Sequence, residues 1–185
     1  PDERARLVEL LAAWARGAPE GEADTPWLGV GELLLALGAH DDADRCFARV
    51  VALGRDPEQV VAARLGRAAL ARARGALDDA DGHLEGLDAT RADVRLERCA
   101  LLRARGRPRE ALDGYHALLR GLEAQRPPAW WEAAIGAAEA YAELREPGQA
   151  RALLDGLRRK DPTFGGDDAR RRRIIDLMVR LDAAR

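Results

Sequence analysis

Trp27-Leu28-Gly29-Val30-Gly31-Glu32-Leu33-Leu34 opens an apolar stretch that runs to Gly38, and beyond it Ala43, Phe47, Val50 and Leu53 follow before Asp56-Pro57. Steps of three and four residues put these side chains on one stripe of a 3.6-residue helix. The segment therefore reads as two helices folded back on each other about a glycine turn. The pattern returns three times. Gly75 precedes Ala80, Leu84 and Leu87; Gly106 precedes Ala111, Tyr115 and Leu118; Tyr141 and Pro147-Gly148 precede Ala150, Leu154 and Leu157, and Asp161-Pro162 closes the last copy. The leading alanines stand 37, 31 and 39 residues apart. A two-helix unit recurring at that interval is the mark of stacked helix pairs. Two helices can cross closely only over small side chains, and Ala43, Ala80, Ala111 and Ala150 are placed for this, as are Gly31 and Cys99 in the first helices.

Composition agrees. Hydrophobic residues make up 47% and charged residues 34% of the 185, which fits a soluble globular chain with a sizeable core. Aromatics are only 4%, so the core must be built from Ala and Leu. Ile occurs only at Ile135, Ile174 and Ile175, which weakens any strand assignment. An all-α fold follows. Charge is uneven along the chain: residues 1–57 hold 6 Arg against 11 Asp and Glu, a balance of -5, whereas residues 158–185 hold 9 Arg and Lys against 5 Asp, a balance of +4. Solvated helix faces account for this more simply than steering of a charged partner does. Lys160 is the only Lys, and the abundance of Arg, Ala and Gly reads as a GC-rich bacterial coding bias. The chain opens on Pro1, which reads as an excised fragment or a processed chain. Localisation is open on that reading, with the cytoplasm favoured and the periplasm an option if a signal or anchor was removed.

Helices are expected at 2–16, 26–38, 41–54, 57–74, 77–87, 91–105, 108–123, 128–144, 147–160 and 167–183. Thr25-Pro26, Asp56-Pro57 and Gly166-Asp167 supply caps or first-turn prolines. Thr90 with Asp93 has the spacing of a capping box. Pro108 and Pro147 fall in first turns, where a missing N–H costs little. The opening helix carries Leu7, Leu10, Leu11 and Trp14 but has no partner helix. The closing helix sets Ile174, Leu177, Met178 and Leu181 on one face and Arg170, Arg173, Asp176 and Arg180 around it, as a solvating cap should.

The motifs resemble those of the tetratricopeptide repeat family. The likeness rests on Trp27, Val30-Gly31, Gly38, Ala43, Phe47, Val50 and Pro57 in the first repeat, and on Tyr141, Ala150, Leu154, Leu157, Asp161 and Pro162 in the fourth. The fourth repeat has Ala138 where the family has Gly, and the middle two repeats have Arg67 and Arg98 where the family has Leu. The resemblance covers about residues 24 to 162. It implies an α-α superhelix, a right-handed solenoid of antiparallel helix pairs. The whole of 1–185 would then be one domain, with an N-terminal helix at 2–16, repeats at 24–57, 58–90, 91–127 and 128–162, and a capping helix at 167–183.

The resemblance also implies a scaffold whose first helices line a concave groove for a peptide or helix of another protein. Carried onto this chain, the groove would hold Leu28, Glu32 and Leu35, then Arg64, Leu65 and Arg72, then Leu96, Glu97, Ala100 and Arg103, then Glu132, Ile135, Glu139 and Glu143. Arg72 and Arg103 have the fork geometry to grip a carboxylate. The family's carboxylate-clamp variant uses Asn, and this chain has none. Of the pair Trp130-Trp131, one is expected to pack under the preceding repeat and the other, Trp131, to stand exposed as an anchor. The alternative is a structural or sensory repeat domain of a larger regulator or enzyme whose chemistry lies elsewhere. The unpaired end helices offer a route to a homo-oligomer.

Little points to chemistry. His40, His83 and His116 lack the i, i+4 spacing of a zinc helix, and no phosphate-binding glycine loop is present. Cys46 and Cys99 sit near packing stripes and read as small buried hydrophobes, not as a disulfide or metal pair. No catalytic residue, metal or cofactor is expected, and no enzymatic activity. Arg170-Arg171-Arg172-Arg173 is the one basic run, but Asp167 and Asp168 adjoin it and no aromatics interleave. It reads as a solvated helix face and not as a nucleic-acid patch. No apolar run approaches the 18 residues of a membrane span.

Overall fold

Asp56 accepts hydrogen bonds from the backbone N–H groups of Glu58 (2.9 Å) and Gln59 (3.4 Å), and Pro57 stands at the first helical position with no N–H to satisfy. Such local signals set most helix ends. In the computed structural model, which describes residues 3–17 and 26–183, the chain forms ten α-helices, with no strand among the described residues. They are α1 (Glu3–Gly17), α2 (Trp27–Ala36), α3 (His40–Leu53), α4 (Pro57–Ala73), α5 (Leu77–Leu84), α6 (Ala92–Ala104), α7 (Pro108–Leu122), α8 (Pro128–Glu143), α9 (Pro147–Lys160) and α10 (Asp168–Ala183). The fold is all-α. The chain groups into two compact units, Pro1–Leu87 and Asp88–Arg185.

Four hairpins, α2–α3, α4–α5, α6–α7 and α8–α9, turn in the same way. Each first helix ends in a left-handed residue: Gly38 (φ 80°), Gly75 (φ 78°), Gly106 (φ 73°) and Arg145 (φ 60°). The next N–H reaches the carbonyl five residues back in all four: Ala39 to Leu34, Ala76 to Ala71, Arg107 to Leu102 and Glu146 to Tyr141, at 2.9 Å each. The left-handed residue itself donates to the carbonyl three back. This is the Schellman stop, which satisfies carbonyls the helix leaves orphaned. Five positions after each turn comes the buried alanine, Ala43, Ala80, Ala111 or Ala150, and none of the four shows any exposed surface. In the fourth hairpin the turn is made by Arg145, not by Pro147-Gly148, which begin α9.

In the first unit α3 is held between α2 and α4 by one ring. A methyl placed on Gly31 of α2 would lie 2.7 Å from Phe47 Cε1, and one on Gly66 of α4 would lie 2.6 Å from Phe47 Cε2. Phe47 is fully buried between two bare stretches of backbone. The second unit repeats this with Tyr115 of α7, whose ring fills the space a side chain at Gly136 of α8 would need. Cys99 of α6 takes the place of Gly31, and Gly114 makes room for its sulfur. Gly136 thus plays for Tyr115 the part Gly66 plays for Phe47, while Ala138, fully buried, lies with Ala150 and Leu154 of its own pair. In the first unit α1 lies on α2 and α3, α4 packs on α3 and pairs with α5, and α2 touches α4. In the second, α7 packs between α6 and α8, α9 between α8 and α10, and α8 touches both α6 and α10.

Several ends differ from expectation. The helix expected at 77–87 stops at Leu84, because Gly86 turns left-handed (φ 72°) and Arg64 ties up the carbonyls of His83 and Glu85. The capping box at Thr90 and Asp93 does not form. Arg91 is the N-cap, Thr90 bonds back to Asp88, and the Asp93 carboxylate is taken by the Arg91 guanidinium and the Val94 N–H. Pro26 is the N-cap of α2 and not its first residue; Thr25 lies outside the described residues, as do Ala18 to Thr25 generally. Asp167 does cap α10, accepting from the Arg170 N–H at 2.8 Å. Ile174, Leu177, Met178 and Leu181 are buried as expected, but the Arg170–Arg173 run is not one solvated face. Arg170 is only 9% exposed, donates to the Phe164 carbonyl at 3.1 Å and lies over the Trp131 ring. It pins the Asp161–Gly166 turn, in which Asp161 gathers the N–H groups of Thr163 and Gly165.

Two substitutions separate turn chemistry from packing. Arg145→Gly relieves a left-handed L-residue and is expected to stabilise the chain by about 1 kcal/mol, read as a rise in thermal midpoint. Gly66→Ala gains about 1 kcal/mol of helix propensity, but it drives a methyl into a buried ring at a cost of roughly 1–3 kcal/mol, so its midpoint is expected to fall. Gly156→Ala in α9, where nothing lies within 4 Å, is expected to raise the midpoint. If Gly66→Ala stabilised as much as Gly156→Ala did, the ring would not be clamped as described.

Candidate functional site

Arg103 is in the last turn of α6, and Glu139 and Glu143 stand one turn apart on α8. The spacing lets one guanidinium span both carboxylates. Its Nη1 donates to Glu139, and its Nε (3.1 Å) and Nη2 (2.5 Å) donate to Glu143 Oε1. The Arg103 side chain is 18% exposed, Glu139 29% and Glu143 41%, so the cluster runs from a covered base to an open rim. Burial works against the Arg103 charge, but the hydrogen bond to Glu143 and the charge of Glu139 outweigh it and hold the guanidinium firmly protonated. Tyr115 lies beneath. Burial pushes its phenol up to about 12, against an opposing pull from Arg103. One cation between two anions leaves this patch with a net charge of -1.

The other sequence candidates fare differently. Glu32 on α2 is exposed. Arg72 and Glu97 are half-buried, and each already has an interaction. Arg64 does not face outward: its Nε donates to the His83 carbonyl at 3.0 Å and its Nη2 to the Glu85 carbonyl, so it caps the end of α5. Glu132 pairs with Arg173 of α10 at 2.9 Å. Trp131 is not an exposed anchor. Both tryptophans are buried (Trp130 2%, Trp131 4%), and Ile135 with them at 1%. Trp130 donates its Nε1–H to the Leu119 carbonyl at 3.0 Å, and Trp131 meets Phe164 edge-on. A segment that carries a second indole beside an aromatic turn packs both, because α10 closes over the side that two stacked pairs alone would leave open. In the second unit, then, Arg103, Glu139 and Glu143 come together, and Glu132 and Trp131 are drawn into the contact with α10.

Sequence reading missed a second charged place. In the first unit α3, α4 and α5 border an open cleft of about 610 Å³. Arg67 bonds Asp44 at 2.9 Å across it, Arg74 meets Asp41 at its rim at 2.6 Å, and His83 completes the lining with Asp78 and Asp79. Burial, then the charge of Arg67, pull the His83 imidazole below its ordinary value. Arg67 on α4 and Arg74, the cap of that helix seven residues on, with Asp41 and Asp44, three apart on α3, are the signal that sequence offers for it. Among the described residues no group of three or more His, Cys, Asp or Glu is placed to hold a metal ion. Cys46 and Cys99 are buried and free, and burial pushes both thiols up, Cys46 to about 11, the reverse of an activated nucleophile. No described helix is long and apolar enough to cross a membrane.

Compared with models of known protein families, with curated proteins and with solved structures, the chain matches none.

Stability should depend on pH only where the perturbed groups titrate. Cys46 and Tyr115 both lose their protons later in the folded than in the unfolded chain, so the folded state holds more protons there. Their contribution is complete below the ordinary values of 9.0 and 10.0 and is lost as pH rises to about 11 and about 12. In a Tyr141→Phe background, tyrosinate absorbance is expected near pH 12 while the chain remains helical. A phenol titrating near 10 in the folded state would contradict the burial described for Tyr115.

Proposed function

We propose that the chain is a protein-interaction scaffold, its helix pairs stacked as in the right-handed tetratricopeptide solenoid and its first helices facing a peptide or helix of another protein. One observation carries the reading: four hairpins with the same turn hydrogen bonds, each followed at five positions by a buried alanine, with an aromatic ring of a second helix clamped on the next first helix in both units. Repeated pairs of this kind devote their sequence to stacking and leave one edge of successive first helices free of packing duty.

The candidate residues then divide by role. Arg64, Trp131 and Glu132 hold the fold. Glu32 and the rim of the Arg103–Glu139–Glu143 cluster remain to meet a partner. Because the cluster keeps an excess carboxylate, it suits a basic side chain of the partner better than the acidic one that an open Arg103 would have taken. The partner is accordingly an extended or helical segment that carries Lys or Arg.

The test is selection of a displayed random peptide library on the immobilised chain. Enriched peptides are expected to share a basic residue, and Glu143→Arg is expected to weaken them about tenfold or more, the worth of one charge-assisted contact. Enrichment of no peptide family, or binding indifferent to both Glu143→Arg and Glu32→Arg, would rule the first-helix face out.

A further inference from the structure

Helix α5 is short, eight residues from Leu77 to Leu84, and its C-terminal end is closed from outside. Glu85 leaves the helix in extended backbone, so the last carbonyls have no further turn to serve. Arg64 of α4 takes two carbonyls there. Its Nε donates to that of His83 at 3.0 Å, and its Nη2 donates to that of Glu85. One guanidinium thus fastens the end of α5 together with the start of the segment that leads to α6.

The imidazole of His83 is half-buried among charges. It shares the lining of the first unit's cleft with Asp44 of α3, with Arg67 of α4 and Arg74 at that helix's end, and with Asp78 and Asp79 of its own helix. Burial, Arg67 and Arg64 disfavour a proton on the ring, Asp44 and Asp79 favour it, and the first three prevail: the imidazole takes up its proton below the ordinary value of 6.5. Neither guanidinium stands loose. Arg67 is bonded to Asp44 across the cleft at 2.9 Å, and Arg64 to the two carbonyls. The two holds differ in strength, because Arg67 grips a carboxylate whereas Arg64 grips neutral carbonyls.

We infer that His83 and Arg64 form an acid-sensitive clasp on the end of α5. A proton taken from water onto the imidazole sets a second cation beside a guanidinium that is bonded to the same residue's carbonyl. Arg67 is kept in place by Asp44, so Arg64 is the one to give way. Its departure leaves the His83 and Glu85 carbonyls to water and frays α5 from Leu84 into the segment that leads to Arg91. The clasp's contribution to stability is complete above 6.5 and is lost as pH falls through the lower value of the folded chain. None of Glu32, Arg103, Glu139 and Glu143 takes part, so the clasp stands apart from the peptide-binding reading.

NMR of the whole chain from about pH 8 to about pH 5 follows both groups at once, the His83 ring by its carbon-bound protons and the Arg64 Nε–H by its exchange with water. The ring is expected to titrate below 6.5. Through the same midpoint the protection of the Arg64 Nε–H, measured against a free arginine at the same pH, is expected to fall about tenfold or more. The backbone amide of Leu87, which bonds the Leu84 carbonyl at 3.3 Å, is expected to lose protection with it. His83→Gln cannot take up the proton and is expected to keep the Arg64 Nε–H protected down to about pH 5. Arg64→Gln is expected to leave the Leu87 amide open at every pH. A ring that titrates at 6.5 or above overturns the proposal. So does a ring that titrates low while Arg64 stays protected, since the imidazolium then simply turns to water. Loss of protection that survives His83→Gln, or helix lost throughout the chain before the ring titrates, overturns it as well.

Discussion

A flat ring buried between two helices requires that neither backbone offer it a Cβ. Phe47 meets that condition with Gly31 on one side and Gly66 on the other, and the fold of the first unit follows from it. The ring fixes how closely α2, α3 and α4 approach, and at that separation only alanine fits at the crossing, where Ala43 and Ala63 are fully buried. In the second unit the Tyr115 ring meets a bare backbone on one side only, at Gly136, and its hydroxyl changes the outcome. A buried phenol needs polar company, and Arg103 supplies it while spanning Glu139 and Glu143. Packing in the interior therefore decides which charges reach the first-helix surface.

That link explains why arginine serves here almost alone among the bases. A guanidinium can donate along one edge to a buried partner and along another to a rim carboxylate, which an ammonium does less well. Arg151 ties α9 to α10 through the Met178 carbonyl and Asp182, Arg103 ties α6 to α8 through two carboxylates, and Arg64 and Arg170 hold a helix end and a turn through backbone carbonyls. A chain with 30 Lys and Arg against 32 Asp and Glu can settle most of its charge internally, so the field a partner meets is set by the few groups left over.

Most of the helices are legible in the sequence because they are bounded by a local signal: a proline at the first position, a cap, or a glycine that turns left-handed. The turn at Arg145 is not, because an arginine carries no mark of a left-handed backbone and Pro147-Gly148 nearby looks like one. Gly66 and Gly136 are hidden for a related reason. They stand 14 residues before Ala80 and Ala150, whereas Gly31 and Cys99 stand 12 before Ala43 and Ala111, so a single period does not find all four. Of the candidate site, the residue types were legible and their partners were not. Periodicity shows that Arg103 and Glu139 lie on helices but not that they face each other, and it cannot tell that α10 folds back over Trp131. Arg170 shows the limit most plainly: within a run of four arginines, only three-dimensional packing selects the one that is buried.

Everything rests on the clamped ring, and solution NMR sees it most directly. One Hα of Gly31 points at the Cδ1–Cε1 edge of the Phe47 ring and one Hα of Gly66 at the Cδ2–Cε2 edge, so both should show ring-current shifts and both should give nuclear Overhauser contacts to the Phe47 aromatic protons. Contacts from one glycine alone, or from neither, would mean that α3 is not held between α2 and α4, and the account of the stacked pairs would fail with it.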